Sequence, residues 1–193
     1  VGDLEGALQA WTHPESTYQF EHRAGVANLA VKLHRRGHWE GLAHLLDPGA
    51  PFLELSSIAG YLMNGDKDGS TAGGNIIVGI GYVSGRRVLV IVWNYAIKGG
   101  TISSVTTKKN LRLQEIAFAA RLPVISLSES GGGNLAGDGD PDPWGVHGFL
   151  DGGRVYGQQA QLSAAGIPQI TVSHGNATAG GAYQVALSDY VIL

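Results

Sequence analysis

At 193 residues, 44% of them hydrophobic, the chain fits one domain with a substantial core. Thirteen Lys and Arg against 16 Asp and Glu give a net charge of −3 with no basic block, which argues against a nucleic-acid surface. Without cysteine there are no disulfides, thiol nucleophiles or Cys-ligated zinc, and with neither a membrane-length apolar run nor a basic-then-apolar leader the expected setting is cytoplasmic, with no membrane partner.

Residues 1–15 show no strong period, whereas 16–36 suit a helix with Val26, Leu29, Ala30 and Leu33 on one face and Gly37 as its stop. A short helix over 39–46 ends at Asp47-Pro48-Gly49. A strand is expected at 52–55. The apolar runs 75–83 and 87–93, joined by Ser84-Gly85-Arg86, read as a hairpin. Beyond Gly99-Gly100, helical periodicity through Leu111, Ala117 and Ala120 covers 106–121. A strand at 124–127 leads into a glycine turn and a loop rich in Asp, Gly and Pro at 137–143. A helix over 153–165, a strand at 169–172, a second glycine turn, a helix over 179–187 and a strand at 190–193 complete the series.

A hairpin followed by repeated helix–strand units predicts an α/β layered fold with a mostly parallel sheet. The division expected is an N-terminal helical segment at 1–45 and a core at 46–193. Because the last residues read as a strand, the core is expected to be incomplete at its C-terminus, with more polypeptide on this chain or on a separate subunit.

The two glycine turns are the most telling feature. Ser130-Gly131-Gly132-Gly133-Asn134 and Thr178-Ala179-Gly180-Gly181-Ala182-Tyr183 each follow an apolar run and lead out of a strand. Backbone N–H groups at a helix start lack an intrahelical acceptor, so two such turns on neighbouring strands can aim amides at one oxygen. Stabilising a thioester enolate or a tetrahedral oxyanion requires that arrangement.

Ile97-Lys98-Gly99-Gly100-Thr101, the run from Thr106 to Ala117 with Lys108-Lys109-Asn110-Leu111-Arg112, the two glycine turns, and Gly166-Ile167-Pro168-Gln169 stand in a characteristic order. Together with Leu46-Asp47-Pro48-Gly49 and Thr71-Ala72-Gly73-Gly74 they resemble the carboxyltransferase (β) subunits of biotin-dependent acyl-CoA carboxylases. The methylcrotonyl-CoA carboxylase type is the branch that they most resemble. The resemblance implies a crotonase-like (ClpP/crotonase) spiral of ββα units and the N-terminal half of a carboxyltransferase, the half that holds acyl-CoA as substrate. It also implies biotin carried on a partner domain or subunit, a second crotonase-like half, biotin carboxylase and biotin carboxyl carrier components, and a homo- or hetero-oligomer.

In the reaction so implied, carboxybiotin gives up its carboxyl group beside the acyl-CoA, and the protein's task is positional and electrostatic. By family position Gly180 and Gly181 are the expected oxyanion donors, with Gly131 and Gly132 forming the facing wall. Lys98, Gly99, Gly100, Lys108, Lys109 and Arg112 are candidates to meet CoA phosphates or shape the acyl pocket. Asn134, Ala182 and Tyr183 are candidates to contact acyl chain or pantetheine. For each, a local structural role is the alternative: glycine where the backbone turns tightly, cations on a solvated helix face.

Other chemistries have weaker support. Ser130 lacks a Gly-x-Ser-x-Gly context, and His174 reads as a buried, hydrogen-bonded imidazole. Asn64-x-Asp66-x-Asp68-Gly69 begins like a calcium loop but has Asn75 at position twelve. Compared with the family pattern, Glu129 stands for the usual Asp, Gly133 for Ala, Ala177 for a frequent Cys, and His174 for an apolar residue. Two rival readings remain: a biotin-independent acyl-thioester decarboxylase, hydrolase or acyltransferase, and a non-catalytic CoA-binding or scaffolding subunit.

Overall fold

The computed structural model describes residues 45–62, 66–69, 72–135 and 146–193. The expected helix at 16–36, nearly all of the one at 39–46, the Asn64 position of the calcium-like loop and the loop at 137–143 lie outside the described residues.

One six-stranded sheet runs in chain order: β1 (Leu53–Glu54), β2 (Ile76–Val83), β3 (Arg86–Trp93), β4 (Val124–Ser130), β5 (Gln169–Ala177) and β6 (Tyr190–Ile192). The first three strands are antiparallel, and β3 to β6 are parallel. The β2–β3 hairpin closes through Ser84 and Gly85, both at positive φ, as a two-residue turn between right-twisted strands requires. The Asp47 carboxylate accepts both turn amides, Ser84 N–H at 2.9 Å and Gly85 N–H at 2.7 Å.

Parallel neighbours need crossovers, which three helices supply: α1 (Ser104–Ala120), α2 (Val146–Ala164) and α3 (Gly180–Ala186). α1 begins because the Ser103 hydroxyl accepts the Thr106 N–H at 3.2 Å; it ends at Arg121, which turns left-handed with φ 49°. Along β3, side chains alternate between the two faces. Val88, Val90 and Val92 join Leu45, Ile77, Ile125, Leu127 and Val172 on one face. Leu89, Ile91 and Trp93 meet Leu113 and Ala117 of α1 and Leu162 of α2 on the other. Both faces are apolar because a parallel sheet is covered on both sides.

Two elements differ from expectation. α2 starts at Val146 rather than near 153: Gly148, Gly152 and Gly153 mask its first turns, which are largely exposed, while its buried stripe (Val155, Gln159, Leu162) lies in the later part that the sequence pattern predicts. β5 continues to Ala177 rather than stopping at Val172. Its pairing with β4 passes from Ser128↔Ser173 to Ser130↔Ala177, so β5 carries extra residues across a bulge.

Asn75 ties the start of β2 to the segment that leads into α1. Its side-chain amide donates to the Thr101 carbonyl at 2.5 Å, and its oxygen accepts the Thr106 hydroxyl. Asn75 is buried, so Asn75→Ala would take from the Thr101 carbonyl its side-chain donor and from the Thr106 hydroxyl one of its two partners, the other being Ser103 Oγ at 3.0 Å. The expected outcome is a loss of about 1–3 kcal/mol, read as a lower denaturant midpoint at unchanged m-value.

Candidate functional site

Three segments meet at the C-terminal ends of β3, β4 and β5, the edge where open α/β sheets place their ligands. The first is the 3-10 turn Lys98–Gly100, where Lys98, Gly99 and Gly100 all have positive φ. The second is 129–134, and the third is 174–181. Main chain packs on main chain between them. A Cβ on Gly100 would lie 2.5 Å from the Glu129 carbonyl oxygen, and one on Gly131 would lie 2.9 Å from the Gly99 carbonyl oxygen. One on Gly181 would sit 2.6 Å from the Ser130 Cβ.

Hydrogen bonds set the same register. Gly131 N–H donates to the Gly99 carbonyl at 3.0 Å, and Thr178 N–H donates to the Ser130 carbonyl at 3.0 Å. Ser130, fully buried, donates its hydroxyl to the Gly100 carbonyl at 3.0 Å and accepts the Gly132 N–H at 3.2 Å. It is a strut between two turns, in accord with its poor context as a nucleophile. The Gly132 carbonyl and the Asn134 N–H both bond Ile102, forming a parallel bridge outside the main sheet.

This geometry sorts the expected donors. The N–H groups of Gly131, Gly132 and Gly181 are already engaged, that of Gly181 with the Thr178 carbonyl at 2.9 Å. Ala182 N–H likewise bonds the Ala179 carbonyl at 3.0 Å. The N–H groups of Ala179 and Gly180 donate to no carbonyl or side chain among the described residues. Ala179 is exposed and strained, with φ 46° and ψ −115°, a conformation costing about 1–3 kcal/mol for a non-glycine residue. Sequence reasoning passed over Ala179, because an alanine at positive φ carries no compositional signal.

Tyr156 of α2 was likewise missed. Its hydroxyl donates to the Gly180 carbonyl at 3.1 Å, and its ring meets that of Tyr183 edge-on at 5.9 Å. Burial, and then the neighbouring Tyr183, push the Tyr156 hydroxyl above its ordinary range, so it stays a protonated donor. Tyr183 is largely exposed beside the turn.

The expected cation cluster divides. Lys109 points inward, its ammonium donating to the Gly73 carbonyl at 2.8 Å and the Ile76 carbonyl at 2.7 Å. It holds the entry to β2 and is withheld from solvent, a correction to its expected exposure to phosphates. Lys109 lies on the stripe of Thr106, Leu113 and Ala117, so helical spacing carries it indoors. Lys108 and Arg112 remain on the exposed face of α1, where Arg112 pairs with Glu115 at 3.0 Å. Lys98 is exposed at the tip of its turn. Asn134 is buried, and His174 lies buried with Nδ1 3.5 Å from a Glu129 carboxylate oxygen. A cavity of about 30 Å³ beneath α1 and α2, lined in part by Asn110, Gln114 and Ser128, has room for water but not for an acyl group.

An α/β sheet whose strand ends meet at closely packed glycine turns, with the Ala179 and Gly180 amides lacking a partner among the described residues, is a scaffold able to hold an oxyanion. Residues 34–193 match the carboxyl transferase domain family, and the chain belongs to it. It is 46% identical over 149 residues to the probable methylcrotonoyl-CoA carboxylase beta chain of Drosophila melanogaster, named as mitochondrial, covering 77% of this chain and 25% of that one. It is 44% identical over 154 residues to the biotin-dependent 3-methylcrotonyl-coenzyme A carboxylase beta1 subunit of Mycobacterium tuberculosis, covering 80% of this chain and 28% of that one. Among solved structures, the geranyl-CoA carboxylase beta subunit of P. aeruginosa superposes with a TM-score of 0.68 at 46% identity over 99% of this chain and 36% of that one. The chain thus spans about a quarter of the length of the curated relatives it matches. The crotonase-like fold expected from the sequence accords with these matches. Among the described residues, no helix is long and apolar enough to cross a membrane.

Two outcomes follow from the geometry. Gly181→Ala drives a methyl into the Ser130 side chain and is destabilising, whereas Gly157→Ala, on an open face of α2, stabilises by about 0.5–1 kcal/mol; paired denaturant melts read both signs. Burial, opposed by the Glu54 charge, brings the Lys109 pKa from 10.5 to about 8. Between those values the unfolded chain holds a proton that the native protein does not, so this group makes stability rise with pH across that window. The denaturant midpoint of the wild type should therefore gain on that of Lys109→Met between pH 7.5 and about 9.5.

Proposed function

We propose that the protein is the acyl-CoA-holding part of a biotin-dependent acyl-CoA carboxylase carboxyltransferase. The observation that carries the reading is the strained turn at Ala179 and Gly180, whose two N–H groups have no partner among the described residues. The thioester oxygen of the substrate accepts from them. As a proton leaves the acyl chain, charge collects on that oxygen, and donors fixed beforehand stabilise it without reorganising. Tyr156 holds the Gly180 carbonyl, and the Ser130 carbonyl holds the Thr178 N–H, so the peptide groups on either side of the turn cannot swing away.

Gly180 remains in the expected role of donor. Gly181, Gly131 and Gly132 take a different one from that expected: they permit the close approach that sets the turn in place. The exposed Lys98, Lys108 and Arg112 are the cations of the original set still able to meet CoA phosphates. Ala182 and Tyr183 flank the turn, with the Tyr183 ring beside the path of an acyl or pantetheine group.

Both 3-methylcrotonyl-CoA and geranyl-CoA, named in the relatives, are thioesters of 3-methyl-2-enoic acids, and this is the substrate class we infer. Loss of a proton from such a chain spreads charge through the conjugated system onto the thioester oxygen, where the turn receives it. Carboxybiotin, brought by a partner domain or subunit, supplies the carboxyl group and the base. The residues described here form a thioester grip, and the reading assigns biotin to the second crotonase-like half. Biotin carboxylase and carrier components complete the proposed oligomer. Cytoplasm, the setting expected from the sequence, stands as a proposal beside a relative named as mitochondrial, and cell fractionation decides it.

The test uses the full-length native polypeptide with its co-purifying partners and a 3-methyl-2-enoyl-CoA. Carboxylation abolished by avidin is expected. Gly180→Pro, which deletes one N–H and also presses a Cβ against the Tyr156 hydroxyl and constrains Ala179, should lower kcat by at least about 10²–10³-fold. Thioester turnover that ignores avidin, or CoA binding without turnover in the complete assembly, would overturn the reading.

A further inference from the structure

Glu129 is the penultimate residue of β4, and no step so far uses its carboxylate. Its side chain is 4% exposed and that of His174 is fully buried, with His174 Nδ1 3.5 Å from Glu129 Oε2. The carboxylate also sits on Gly175: a Cβ there would lie 2.3 Å from Oε1 and 2.4 Å from the carboxyl carbon. Its main-chain carbonyl, at the other end of the residue, presses on Gly100. Glu129 therefore touches both neighbouring segments, the 98–101 turn through its backbone and the start of the 174–181 segment through its carboxylate. The extra residues of β5 fall at this point, between Ser173 and Ala177, so the bulge arches where the carboxylate lies.

We propose that Glu129 is a positioning residue of the site, its carboxylate wedged between His174 and Gly175 to set the height of the bulge and so the aim of the Ala179 and Gly180 amides. A buried carboxylate is retained only with polar partners, and the His174 ring is one. Gly175 is the complementary half of the contact, since any larger residue displaces the carboxylate or lifts the bulge. Glu129 touches no substrate in this arrangement. Its effect passes through the main chain of residues 175–180, where a misplacement of about 1 Å can cost 10²-fold in rate.

The proposal rests on the functional reading above, and the experiment separates the two. In the full-length assembly, Glu129→Ala is expected to lower kcat by about 10–100-fold while KM for acyl-CoA stays close to wild type, and Glu129→Gln, which keeps the shape, to restore most of kcat. Gly175→Ala should be damaging in the wild-type background and at least about fivefold less so in Glu129→Ala, where the space has been vacated. If Glu129→Ala does not assemble, Glu129→Asp, which withdraws the carboxylate by one methylene, carries the same cycle. Unchanged kcat in the folded variants, or losses from Glu129→Ala and Gly175→Ala that simply multiply, would overturn the proposal. If the wild-type assembly carboxylates no acyl-CoA, the functional reading fails by itself. The wedge is then judged from the same cycle in denaturant midpoints, where additive effects refute it and coupling supports it.

Discussion

The end of β4 meets the 98–101 turn largely main chain to main chain and the 174–181 segment through both its main chain and the Ser130 and Glu129 side chains, and the rest of the site depends on those contacts. At Gly100, Gly131 and Gly181 the added methyl of an alanine would fall 2.5 to 2.9 Å from an atom of a facing segment. Contacts that short replace side-chain packing with hydrogen bonds between peptide groups, as in Gly131 to Gly99 and Thr178 to Ser130. A peptide group held this way has far fewer soft torsions than a side chain. Donors built from it are pre-organised, which suits a charge that exists only in passing.

The same arrangement explains why so many polar residues near the strand ends are buried. Ser130, Asn75 and Lys109 each cap a carbonyl that a sharply turning chain cannot pair within its own element. They stabilise the turns without engaging the amides of Ala179 and Gly180. The strain at Ala179 is opposed on three sides: by the Thr178 bond to Ser130, by Tyr156 on the Gly180 carbonyl, and by the first turn of α3. A strained residue persists only where its surroundings over-determine it, and here they do.

Much of the frame was legible in the residues. The hairpin follows from two apolar runs around Ser84-Gly85, and α1 from the periodicity through Leu111, Ala117 and Ala120, while its Ser103 cap is a feature of the structure. What was not legible is non-local. Gly131 and Gly180 look alike in sequence, yet one N–H meets the Gly99 carbonyl and the other meets no described group, because that depends on which segment folds over which. The sequence pattern starts α2 seven residues late, since glycines at 148, 152 and 153 lower local propensity and the first turns, being exposed, carry no buried apolar stripe to signal a helix. The extension of β5 through Gly175 was hidden for a related reason: a glycine that suggests a turn marks instead a place where the Glu129 carboxylate approaches the backbone.

Lys108 and Lys109 show how finely position decides chemistry on this scaffold. One residue of helical rotation, about 100°, separates a cation in solvent from one clamped between two carbonyls. The buried ammonium neutralises the carbonyl ends at the entry to β2, and with Asn75 it fixes the segment from which the 98–101 turn is braced. Two identical side chains thus divide into a structural cation and a free one. The free one shares the exposed face of α1 with Arg112, which pairs with Glu115, while the proposed grip is made of uncharged peptide groups. On the proposed reading, a CoA thioester would be attracted by charges at a distance from its reacting carbon, where they bind ground and transition states alike, and activated by dipoles that respond to the transition state alone.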